Sequence, residues 1–157
     1  MNVLSEVFSL ECRRKFSFLE RSGFVLTDAV RDAYGSRLTY RNPFVAIRIN
    51  LELAQIFIDC YILQCGTIPA RPAHVNPHDD CLVFDFNDLL FIKSGKVIEQ
   101  DARRVYNKEY LLEKINEFSE AVRIYGADFL SGDFSVMPKI KERIIRRIKD
   151  AGMGTIG

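Results

Sequence analysis

Tryptophan is absent from this chain, histidine occurs twice and cysteine four times, so the side chains that most often build metal centres and nucleophilic sites are scarce. No apolar run approaches the roughly twenty residues that a membrane-crossing helix needs. Charge of one sign is also lacking. Lys and Arg number 22 against 21 Asp and Glu, and a net charge of +1 gives no whole-molecule field to attract nucleic acid or an acidic membrane. With nine glycines and five prolines there is no low-complexity tract and no linker long enough to divide the chain. What is present is an ordinary globular balance, 48% hydrophobic and 27% charged. A chain of 157 residues can bury roughly two thirds of its unfolded surface in one domain, 1–157, without metal or disulfide.

The N-terminal run MNVLSEVFSLECRRKF puts charge after a short apolar stretch and lacks the basic start, long apolar core and small-residue cleavage site of a signal peptide. The expectation is a cytoplasmic protein with Cys12, Cys60, Cys65 and Cys81 as free thiols.

Periodicity supplies the fold class. Leu4, Phe8, Cys12, Phe16 and Leu19 recur every three or four positions, one stripe of an amphipathic helix that stops at Gly23. Next come GFVLTDAV, RLTYRN and FVAIRIN, β-rich runs broken by DAYGS and RNPF, which predict an antiparallel meander. AQIFIDCYILQCG continues it as the most apolar strand, expected to be central. Ile56, Ile58, Cys60 and Ile62 fall on one of its faces, and Phe57, Asp59, Tyr61 and Leu63 on the other. That second face is apolar enough to call for cover by a helix or another molecule. FDFNDLLFIKSG predicts a short helix capped by Asp85 or Asn87. Leu111, Ile115, Phe118, Val122, Tyr125 and Phe129 predict a long one from Asn107, ending near Gly132. A last helix starts from Ser135 as N-cap, with Pro138 in its first turn. The expected architecture is α+β: an N-terminal helix, an antiparallel sheet of about four strands, and C-terminal helices packed on the sheet.

The segment PARPAHVNPHDDC, residues 69–81, collects both histidines. His74 and His78 are four apart, a spacing that converges on a metal only along a helix, and Pro72 and Pro77 oppose one there. Val75 stands where a zinc protease has its glutamate base, and His78 with Cys81 in a loop fixes no nucleophile geometry. The expectation is a turn, with no metal, no cofactor and no catalytic residues. Two charged surfaces remain. Between Cys65 and Gln100, five acidic residues face three basic ones, which nominates Asp79, Asp80, Asp85 and Asp88 as a loop surface for a protein partner. Between Ser135 and Lys149, six basic residues face Glu142 alone, so Arg143, Arg146 and Arg147 are the alternative, a helix tracking phosphates.

The runs FSFLERSGFVLTDAV, LTYRNPFVAIRIN and YGADFLSGDFS resemble a class of small bacterial proteins of about this length, some of which look like immunity proteins of toxin systems. That resemblance implies a non-enzymatic inhibitor that occludes a toxin. It carries no functional residue across, and the near-neutral charge departs from the strongly acidic character of inhibitors that block basic nucleases.

Overall fold

The first apolar stripe does not run as one rod. The computed structural model describes residues 3–33, 35–53, 55–71, 81–101, 103–104 and 106–152. In it α1 (Val3–Lys15) and the short α2 (Ser17–Arg21) are separated at Phe16, which is itself fully buried. Gly23 then takes a φ of +93°, where a side chain would be strained, and turns the chain into the sheet.

Five antiparallel strands follow in simple order: β1 (Val25–Asp32), β2 (Gly35–Arg41), β3 (Val45–Glu52), β4 (Gln55–Ile62) and β5 (Val83–Asp85). The sheet thus has one strand more than expected, because Val83–Asp85 reads in sequence as the lead-in to a helix. β4 is hydrogen-bonded on both sides but is not the middle strand, which is β3. Between β2 and β3, Asn42 makes the turn: its side-chain oxygen accepts from the amides of Phe44 and Val45, both at 2.8 Å. The β3–β4 turn is less ordinary. Glu52 pairs with Gln55, leaving a two-residue connection, and Leu53 within it has a φ of +47°. That left-handed conformation costs a residue with a Cβ about 1–2 kcal/mol.

The described helices gather on one face of the sheet. Helix α3 (Phe86–Ser94) is capped by Asp85, whose side chain accepts from the Asn87 amide at 2.8 Å. Helix α4 (Lys108–Tyr125) is capped by Asn107 through the Tyr110 amide at 3.0 Å. The expected continuation to Phe129 is broken at Gly126, after which α5 (Ala127–Leu130) carries the stripe on. A Cβ on Gly126 would lie 2.7 Å from the Val122 carbonyl oxygen, so the break is built around the absent side chain. Helix α6 (Met137–Asp150) starts one residue later than expected, after Val136 instead of after Ser135, and Ser135 does not cap it. The Ser135 amide instead donates to the Asp133 carboxylate at 3.0 Å.

The main core forms between the two layers. Leu38, Ile47, Ile49, Ile58 and Phe84 from the strands meet Phe8 and Cys12 of α1, Leu89 of α3, Ile115 and Phe118 of α4, Phe129 of α5 and Ile140 of α6. Phe84 and Phe129 close it edge to face, with ring centroids 5.1 Å apart. Tyr40 is in this core, and its hydroxyl has no hydrogen-bond partner among the described residues. Burial, with Glu20 adding to it, pushes its pKa up to about 12. A side chain also extends the sheet: Gln100 donates to the Ile56 carbonyl at 2.6 Å and accepts from the Ile56 amide at 2.8 Å. Among the described residues no helix is long and apolar enough to cross a membrane.

Candidate functional site

Alternation along β3 and β4 sends Ile47, Ile49, Ile58 and Cys60 to the helices and Arg48, Asn50, Asp59 and Tyr61 to the opposite face. Register then aligns the strands. Asp28 pairs with Thr39, Thr39 with Arg48, Arg48 with Asp59 and Asp59 with Asp85, so one polar row crosses all five strands on the face away from the helices. A neighbouring row runs Val30, Arg37, Asn50 and Phe57.

The groups of the row hold one another. Arg48 donates from Nε to the Thr39 hydroxyl at 2.9 Å and from Nη1 to the Tyr61 hydroxyl at 3.3 Å. Asn50 donates to the carbonyls of Arg48 and Phe57 and to Asp59, at 3.0, 3.3 and 3.4 Å. The other Asp59 oxygen takes Arg71 Nη2 at 2.6 Å, and Asp28 takes Arg37 Nε at 3.4 Å. Thr39 and Asn50 are buried although no described helix covers them.

Burial pushes the Asp59 carboxyl up, opposed by the guanidinium groups of Arg71 and Arg48 and by Asn50. Asp85 is likewise raised by burial, with its bond from the Asn87 amide working against the shift and the charges of Asp88 and Asp59 adding to it. Among the described residues the cover expected for this face is only partial. A small apolar cluster of Ala46, Tyr61, Leu63 and Val83, with Ile68 packed on it, closes one end, and Arg71 reaches in beside it.

The structure divides the residues nominated from sequence. Asp79 and Asp80, with His74 and His78, lie outside the described residues. Asp85 is committed to capping α3. Asp88 is a correction: its side chain is 2% exposed, beneath α6, and offers no carboxylate to a partner. Arg143 donates to it from Nε at 3.1 Å, and Arg147 grips both of its oxygens. The Arg143 guanidinium also stacks 3.9 Å from the centre of the Phe91 ring. Arg146 pairs with Glu142 at 2.7 Å. Each of the three arginines nominated for phosphates therefore already meets a carboxylate of this chain.

Alternation in the sequence puts Asp59 among aromatic groups on one strand face but does not show the row. Its signal was present in the alternation of β3 and β4 and needed the inter-strand register to appear. Among the described residues no group of three or more His, Cys, Asp or Glu side chains is arranged to hold a metal ion. The arrangement is a pre-ordered strip of both charges with aromatic neighbours, on a sheet face that no described helix covers. No known protein family, curated protein or solved structure matches this chain.

Proposed function

We propose that this protein is a non-enzymatic, cytoplasmic protein-binding domain of the inhibitor type, which occludes a toxin through the sheet face that no described helix covers. The observation that carries the reading is the polar row itself, with Arg37 and Phe57 beside it. Arg and aromatic groups are the side chains that dominate protein interfaces, and here they are ordered before any partner arrives. The mutual saturation of Arg48, Asn50, Asp59 and Arg71 suits a recognition surface better than acid–base chemistry, which needs a titrating group aimed at a substrate. Asp79 and Asp80 stay in the proposal as acidic contributions from the adjoining segment.

The test is co-expression of the chain with the product of the reading frame beside its gene. Expected are rescue of growth and a complex that survives gel filtration, both lost in the Phe57→Asp/Arg37→Glu variant while its thermal melt is retained. Absence of both rescue and complex for the wild type refutes the reading.

A further inference from the structure

Asp59 and Arg71 make an uneven pair. Their side chains meet at 2.6 Å, yet that of Asp59 is 14% exposed and that of Arg71 55%. The aspartate stands on β4, bonded to Asn50 and flanked in register by Arg48 and Asp85, so the sheet fixes its carboxylate. The arginine comes from the segment beyond the strand, and it makes no second hydrogen bond to the described residues. The other guanidinium groups nearby are spent: Arg48 donates to the Thr39 and Tyr61 hydroxyls, and Arg147 to Asp88. Against them stand two carboxylates, because Asp85 lies directly opposite Asp59 on the same face. Asp85 gives one oxygen to the Asn87 amide, and its other oxygen has no partner among the described residues. Burial pushes both carboxyls up, and Arg71 opposes this at Asp59 without reversing it. A rigid, half-buried acidic site is therefore held by one cation that water reaches, and an ion pair exposed on one side is easily exchanged.

We propose that Asp59, with Asp85 beside it, is the socket for an arginine of the protein partner, and that Arg71 is an internal stand-in which the incoming arginine displaces. The inference rests on the protein-binding reading above and adds the chemistry of the opposing group. A guanidinium suits the site better than an ammonium, since its planar fork can meet Asp59 and the unpartnered oxygen of Asp85 together. Until then Arg71 spares the sheet a half-buried carboxylate without a counter-charge, and it competes with the partner for the same place.

The test uses the full chain and begins with methylguanidinium chloride as the probe, followed by backbone amide shifts in NMR spectra. Arg71→Ala, or Arg71→Gln if the alanine variant does not fold, should bind it saturably, with shifts confined to the surroundings of Asn50, Asp59 and Asp85. Wild type should bind at least about threefold more weakly because Arg71 competes, and Arg71→Ala/Asp59→Asn should not bind. Absence of a saturable shift in the Arg71 variants overturns the socket, as does equal binding with and without the Asp59 carboxylate. Unfolding of both Arg71 variants makes that arginine a structural residue and overturns its exchange. Tighter binding of methylammonium or of magnesium ion assigns the site to lysine or to a metal and likewise overturns the proposal. The second arm is the complex from the co-expression test. Expected are an affinity lower by about tenfold or more for Asp59→Asn and higher by about threefold for Arg71→Ala. A complex indifferent to Asp59→Asn overturns the arginine socket and leaves the protein-binding reading standing. Failure of the wild type to form any complex overturns that reading and the socket with it, even where methylguanidinium binds.

Discussion

Replacing Asp88 with alanine removes the carboxylate on which α6 is fastened to the rest of the domain. Its side chain is almost wholly buried, and both oxygens are used by guanidinium groups one helical turn apart, from Arg143 and Arg147. Hydrogen bonds to a charged group are worth about 1.5–3 kcal/mol, and stripping one partner from a buried pair costs about 3–5 kcal/mol. The two partners do not count equally. Arg143 is 27% exposed and is held against Phe91, whereas Arg147 is 54% exposed and water can replace much of what it loses. The expected loss for Asp88→Ala is therefore about 2–4 kcal/mol, most of it from the Arg143 side. Arg147→Ala alone should lose about 1 kcal/mol or less. With a urea dependence of about 2 kcal/mol per molar, Asp88→Ala moves the unfolding midpoint down by about 1–2 M. A double-mutant cycle of Asp88→Ala with Arg143→Ala isolates the pair and should return a coupling of about 1 kcal/mol or more. A loss below about 1 kcal/mol for Asp88→Ala, or one no larger than that of Arg147→Ala, refutes the clamp.

Two further outcomes follow from other parts of the molecule. Burial raises Asp59 and Asp85 above the ordinary carboxylate value of 3.8, so the folded chain keeps protons that the unfolded chain has released. Their contribution to stability accordingly declines as pH rises through a window that opens near 3.8. Urea midpoints measured between about pH 4 and pH 6 should fall less steeply in Asp59→Asn than in wild type, and an unchanged slope contradicts the assignment. Among the thiols, Cys12 and Cys60 are buried and pushed well up by that burial, Cys81 is half-buried and also raised, and Cys65 is exposed on a turn. Alkylation of the native protein should modify Cys65 first and Cys12 and Cys60 only on unfolding; four thiols reacting together would mean that the core is not packed as described.

Much of the architecture was legible because periodicity is a local property. The alternation of Val45, Ile47 and Ile49 against Arg48 and Asn50 assigns a strand and its buried face without reference to anything distant. Asn107 and Asp85 announce helix starts by the same local chemistry. Val83–Asp85 was not legible as a strand, since three residues beside β4 give no period to detect. The break at Gly126 was hidden by an apolar stripe that continues across it. The candidate site was harder still. Asp88 is 55 residues from Arg143 and 59 from Arg147, so a run of basic letters that suggests a phosphate-tracking helix conceals two side chains folded back onto one carboxylate. The polar row takes one residue from each of five strands, and only pairing makes it a line.

The Gln100 carboxamide has a bearing on solubility. Because β5 pairs with β4 only from Asp59 to Tyr61, the start of β4 would present an open backbone rung at Ile56. Exposed rungs are templates onto which another chain's strand can add, the first step towards edge-to-edge polymerisation. One primary amide offers the same donor and acceptor as a peptide group, and here it fills both positions without continuing outward as a strand. The start of β4 is thereby closed by a side chain that cannot be extended. A chain held at high concentration thereby gains protection from its own copies.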